Sequence, residues 1–126
     1  MRPRILATTP VFVVSDVARS LAWYCDKLGF REPAMWGGDP PEFGMCNRDD
    51  LDLMVSCAET PAHIRPNGPN KVWDLCILVE DVAAEQRALE SAGVRIERGP
   101  EKTFYDMIEI EIVDPDGYRI CFGQNL

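Results

Sequence analysis

One passage of this chain is written twice. Val14-Ser15-Asp16-Val17 and Val79-Glu80-Asp81-Val82 each end an apolar run on an acidic residue and open a helical pattern, which closes at Leu28-Gly29-Phe30 in the first copy and Ala92-Gly93-Val94 in the second. The acidic caps lie 65 residues apart and the glycines 64, so a module of about half the 126-residue chain is duplicated. A duplicated unit sets equivalent positions around a shared centre, and the residues at those positions decide what the chain can hold. A chain this long hides roughly two-thirds of the surface it exposes when unfolded, enough for a core without staples. A single domain over residues 1–126 is expected, with module one at about 5–58, a linker at 59–70 and module two at about 71–126.

Within module one, β-branched and apolar residues from Thr9 to Val14 predict a strand, and Ser15 or Asp16 supplies the oxygen that caps the following helix. Val17, Leu21, Tyr24 and Leu28 recur at helical spacing and give that helix one buried stripe. Gly29 ends it. Strands are predicted at Phe30–Trp36, Phe43–Asn47 and Leu51–Cys57. Residues 59–70 carry Pro61, Pro66, Gly68 and Pro69, too many breakers for an element. Module two repeats the order: strand Val72–Val79, helix Asp81–Ala92, then strands Val94–Glu97, Met107–Val113 and Tyr118–Phe122, the last two joined by the turn Asp114-Pro115-Asp116-Gly117. The fold class expected is α+β: two tandem βαβββ modules forming a cupped half-barrel sheet with the helices on its outer face.

Strand alternation then assigns faces. Ile108, Ile110 and Ile112 face the helix, which turns Glu109 and Glu111 into the cup; Leu51, Leu53 and Val55 do the same and turn Asp52, Met54 and Ser56 inward. Trp73, Leu75, Ile77 and Val79 face the helix and leave Asp74, Cys76 and Leu78 on the cup. Tyr118, Ile120 and Phe122 pack outward, so Arg119 and Cys121 line it.

Composition narrows the function classes. The net charge of −8 argues against nucleic acid, whose phosphates demand clustered Lys and Arg. No apolar run approaches the roughly 18 residues of a membrane span, and the basic start Met1-Arg2-Pro3-Arg4 is followed by a segment too broken for a signal peptide, so a cytoplasmic location is expected. Five cysteines, an odd number with no C-x-x-C spacing, are expected to be reduced. His63, the one histidine, falls in the linker, so no Ser-His-Asp or Cys-His constellation can be assembled around it.

Three stretches resemble the vicinal oxygen chelate superfamily of glyoxalase I, extradiol dioxygenases and bleomycin-resistance proteins. They are the start Thr9-Pro10-Val11-Phe12-Val13-Val14-Ser15-Asp16, the run from Trp23-Tyr24 to Lys27-Leu28-Gly29-Phe30, and the end Asp114-Pro115-Asp116-Gly117-Tyr118-Arg119-Ile120. In metal-dependent members, the resemblance implies, His or Glu on the first, fourth, fifth and eighth strands holds a divalent ion. The matching positions here are Thr9, Met54, Asp74 and Cys121, three of which lack the usual donor. The chain is therefore similar to the bleomycin-resistance branch, with no metal and no cofactor expected. The resemblance also implies a homodimer, and Pro10, placed early in the first strand, raises the expectation that this strand is exchanged between subunits.

The expected function is capture of a small cationic or aromatic molecule, such as an antibiotic, in the cup. The candidate ligand-binding residues are Trp36, Asp52, Met54, Asp74, Cys76, Leu78, Tyr105, Glu109, Glu111 and Cys121, with no catalytic residue assigned. Asp52, Asp74, Glu109 and Glu111, opposed only by Arg119, would favour a cation; the alternative places Glu109 and Glu111 at the rim, in water. The resemblance implies that Trp36, Phe43, Phe104 and Tyr105 lie on strands or loops bordering the cup, where they would supply aromatic walls. The rival reading is a metal-dependent lyase, isomerase or dioxygenase with an unusual donor set, such as Asp74, Cys121 and Asp52 or Glu109.

Overall fold

In the computed structural model each of the two acidic residues separated by the repeat caps a helix. Asp16 accepts from the Arg19 N–H at 2.9 Å and Asp81 from the Ala84 N–H at 3.0 Å, satisfying donors that the first helical turn leaves unpaired. The helices that follow are α1 (Val17–Leu28) and α2 (Val82–Ser91). Gly29 and Gly93 close them at φ 74° and 82°, a conformation that costs glycine nothing. The structure describes the backbone of residues 1–126 and every side chain except that of Pro69.

Eight strands complete the two modules: β1 (Val11–Val14), β2 (Arg31–Trp36), β3 (Phe43–Arg48) and β4 (Leu51–Cys57) in the first, β5 (Leu75–Leu78), β6 (Arg98–Lys102), β7 (Met107–Val113) and β8 (Arg119–Asn125) in the second. Each module makes one mixed four-stranded sheet, in the order β1-β4-β3-β2 and β5-β8-β7-β6. The expected α+β class and the repeated βαβββ order hold. In β4, β7 and β8 the face assignment holds as well: Leu53, Val55, Ile110, Ile112, Ile120 and Phe122 have no accessible surface and lie on the helix side. Gly44 lets β3 approach α1 closely, since a Cβ there would come within 2.6 Å of Leu21 Cδ1.

Most strand ends fall within a residue or two of those expected, and two strands, β6 and β5, start well away from theirs. The stretch Val94–Glu97 alternates like a strand, but its Val94 and Ile96 pack on the core as an extended lead-in, and the ladder with β7 runs from Arg98 to Lys102 with a bulge between Arg98 and Glu101. The bulge holds Gly99 at φ 90°, where a Cβ would lie 2.2 Å from the Glu109 carbonyl oxygen. β5 begins at Leu75 rather than Val72, because the residues before it are drawn into the linker: Asp74 accepts from the Asn67 N–H at 2.7 Å and from the Arg119 N–H at 2.8 Å. The linker itself contains two single 3₁₀ turns, Pro61–His63 and Gly68–Asn70.

The helix-facing residues of both modules merge into one core. Polar contacts between the modules gather on that same side. Tyr24 on α1 donates its hydroxyl to Asp114 at 2.6 Å, and the other oxygen of Asp114 accepts from the Asp116 and Tyr118 N–H groups of the β7–β8 turn. Arg48 at the end of β3 makes a two-pronged bond to Glu85 on α2, at 2.6 and 2.9 Å. Lys27, in the last turn of α1, donates to the Ala92 carbonyl at the end of α2, and Phe12 stacks on Tyr118 with ring centres 4.4 Å apart. The modules thus meet through their helix layers, and the concave face of each sheet lies outside the shared core.

Tyr24→Phe removes one buried donor and leaves one oxygen of the buried Asp114 carboxylate without it. The variant is expected to lose about 1–3 kcal/mol in urea unfolding without change of fold.

Candidate functional site

The concave side of module two is built on two buried carboxylates. Glu109 and Glu111 alternate with the helix-facing isoleucines of β7, as the period of a strand requires, and are 1% and 6% exposed. They are therefore not rim charges in water. Nor are they opposed by Arg119 alone: Arg98, directly opposite Glu111 in the β6–β7 ladder, bonds both, with its NH2 nitrogen 2.8 Å from Glu109 Oε1, its Nε against Glu111 Oε2 and its NH1 nitrogen 2.8 Å from Glu101. Arg119 reaches the other Glu111 oxygen at 3.2 Å, and the Tyr105 hydroxyl donates to Glu109 Oε2 at 2.7 Å.

Burial alone would raise the Glu111 pKa, but the bonds from Arg98 and Arg119 and the Trp73 indole beside it outweigh that cost and hold it below its ordinary value. The hydrogen bond that Tyr105 donates to Glu109 holds the phenol in its protonated form and, with burial and the carboxylate's negative charge, pushes the Tyr105 pKa up to about 12. The expected acidic, cation-seeking cup is thus corrected to a floor whose carboxylates are already neutralised from within.

Above this floor lies an open groove of about 660 Å³, walled by Trp73, Phe104 and Tyr105 and edged by Lys71 and Lys102. Phe104 is 97% exposed, edge-on to Tyr105 with ring centres 4.9 Å apart. Of the candidate residues, Tyr105, Glu109 and Glu111 converge here. Trp73 joins them on the groove side, whereas strand alternation had set it against the helix; lying ahead of β5, it is free of that strand's alternation.

The remaining candidates lie elsewhere. Trp36 and Met54 are on module one, Trp36 half-exposed against Phe43 and Met54 opposite Met45 in the β3–β4 ladder. Asp52 is exposed and accepts from the Asn47 amide at 2.9 Å. Cys76 and Leu78 border a second groove of about 860 Å³, between β5, the β3–β4 hairpin and the chain at Leu6–Thr8. Cys121 is fully buried beneath the first groove.

Thr9, Met54, Asp74 and Cys121, the positions matching a metal site, line neither groove. Both Asp74 oxygens already accept backbone N–H groups, and no cluster of three or more His, Cys, Asp or Glu suited to an ion occurs among the described residues. These side chains do not fit a divalent metal. Arg98 and Trp73 were missed by sequence reasoning; the breaker pair Gly99-Pro100 was the available sign that the strand lay beyond Glu97.

Arg98→Met leaves two buried carboxylates short of their main partner. At neutral pH it is expected to cost about 3 kcal/mol in chemical unfolding, toward the low end for buried pairs because the Arg98 side chain keeps 30% exposure. Because Glu111 is held below its ordinary value of 4.5, its share of the stability is present above that value and is lost as pH falls through the depressed one. The gap between parent and variant, measured by urea titration at neutral and acidic pH, is therefore expected to shrink below pH 4.5.

Comparison with known proteins places this geometry. A search of curated protein sequences returns no match. Among solved structures, a glyoxalase-related enzyme from Clostridium phytofermentans superposes with a TM-score of 0.79 at 14% identity, each chain covered to 100%. TnmS3, an antibiotic-binding protein from Streptomyces sp. CB03234, gives 0.73 at 22% identity over 98% of this chain and 100% of that one. The bleomycin-binding protein of Streptomyces verticillus, solved with copper(II)-bleomycin, gives 0.71 at 20% identity over 98% of each. The family model of the Glyoxalase/Bleomycin resistance protein/Dioxygenase superfamily matches residues 5–122. With nearly its whole length matched and both modules in place, the chain belongs to that superfamily.

Proposed function

We propose that this protein captures a small, planar aromatic molecule by stoichiometric binding in the groove of module two. The observation that carries the reading is the wall of Trp73, Phe104 and Tyr105 above a floor of mutually paired charges. An aromatic side chain left 97% exposed offers its apolar face for burial when a flat ring stacks on it, and the volume falls within the roughly 300–1,000 Å³ of small-molecule sites. Floor charges committed to each other orient a ligand's polar groups without demanding that the ligand be cationic. The antibiotic-binding and bleomycin-binding proteins of the same fold make antibiotics the first ligands to try.

The same reading includes a homodimer. Val11 and Leu78, 53% and 62% exposed, stand on the concave faces of β1 and β5, strands that occupy the sheet edges. A second copy that laid its module one against module two of the first would cover these residues and close the groove. Since β1 already pairs with β4 of its own module, Val11 opposite Met54 through Val14 opposite Cys57, this dimer needs no exchange of the first strand at Pro10.

Isothermal titration and tryptophan fluorescence with metal-free bleomycin and a panel of polycyclic aromatic antibiotics test the reading. Saturable quenching is expected, with Phe104→Ala weakening affinity by about tenfold while melting unchanged. Absence of heat and of quenching across the panel would overturn it. Sedimentation equilibrium is expected to give twice the 14.2 kDa chain mass.

A further inference from the structure

Cys76 and Cys121 stand opposite each other in the parallel ladder of β5 and β8. In-register neighbours on adjacent strands point to the same face, and the strand spacing of about 4.8 Å falls within the roughly 4.4–6.8 Å between Cα atoms that a disulfide spans. The two differ in access. Cys76 is exposed and borders the second groove, whereas Cys121 has no accessible surface.

Their chemistry is divided in the same way. The hydrogen bond from the Cys121 thiol stabilises the Cys76 thiolate and brings its pKa down to about 7, against burial and the nearby Glu109. That same bond, with burial, pushes the Cys121 thiol up. Cys25 and Cys46 make a second neighbouring pair of opposite character: burial raises both, Cys46 to about 12, and neither is exposed. Cys57 is half-buried, its thiol turned to backbone carbonyls.

We propose that Cys76 is a modification site for small hydroperoxides, oxidised to a sulfenic acid and then resolved by Cys121 into a disulfide between β5 and β8. In the first step the Cys76 thiolate attacks the peroxide: a sulfur–oxygen bond forms, the oxygen–oxygen bond breaks, sulfur is oxidised, and the leaving oxygen departs as hydroxide or alkoxide. In the second, the Cys121 sulfur attacks Cys76, the sulfur–sulfur bond forms, the sulfur–oxygen bond breaks, and the Cys121 proton leaves with that oxygen as water. A small dithiol returns the pair to its reduced form. The inference stands apart from ligand binding, since the pair lies on β5 and β8 and uses none of the aromatic wall.

The test treats the reduced full-length protein with hydrogen peroxide at up to about tenfold excess, followed by thiol counting and peptide mass mapping. Free thiols are expected to fall from five to three, with a Cys76–Cys121 peptide that dithiothreitol reverses. Cys121→Ser is expected to stop at a Cys76 sulfenic acid that dimedone traps, and Cys76→Ser, a change at an exposed position, to keep its remaining thiols at the same dose. The proposal is overturned if Cys76 in the parent protein is still fully alkylated after the highest dose. It is equally overturned if Cys57 or an intermolecular disulfide is oxidised before the Cys76–Cys121 pair.

Discussion

Two glutamates on the concave face of β7 have almost no contact with solvent, and the guanidinium of Arg98 makes that arrangement tolerable. Ionised carboxylates two residues apart on one strand face repel each other and resist burial. Arg98 answers both through three nitrogens, engaging Glu101, Glu109 and Glu111 in one fork, with Arg119 and Tyr105 taking the oxygens that remain. Strand register sets Arg98 directly opposite Glu111, and the bulge after it returns Glu101 to the same face opposite Glu109; Gly99 permits the bulge because no side chain fits against the Glu109 carbonyl. Strand register and one glycine together thus set which charges meet on the concave face of module two.

The second organising fact is where the two modules touch. Their shared core lies on the helix side, pinned by Tyr24 to Asp114 and by Arg48 to Glu85 across 90 and 37 residues of sequence. Asp114 holds its own turn and receives α1 at the same time, so the hairpin that closes module two is also the socket for module one. Packing the modules through their helices leaves the concave faces facing away from the core. Enclosing a site on both sides is what the proposed second copy would supply.

Much of this was legible in the residues themselves. The duplicated acidic caps, the two left-handed glycines, the Asp114–Gly117 turn and the alternation that buries Ile110, Ile112, Leu53 and Val55 are short-range signals, and each resolves as the chain implied. What was not legible depends on partners distant in sequence or on irregular backbone. Val94 and Ile96 alternate like a strand yet serve as a lead-in, which displaced β6 by four residues and hid Arg98 from the face assignment. Strand alternation sets Asp74 on the cup as an available carboxylate, and nothing local reveals that the linker and β8 both donate to it. A tally of charges by face carries no information about pairing.

The two halves of the duplication have also drifted into unlike materials. Module one offers Met45, Met54, Phe43 and Trp36 on its concave side, soft and deformable, while module two offers a stiff lattice of guanidinium and carboxylate roofed by aromatic rings. Had both copies kept the same lining, a guest held between them could lie either way round. Between such dissimilar jaws the guest proposed above would have a head and a tail, a polarity drawn from a symmetric duplication.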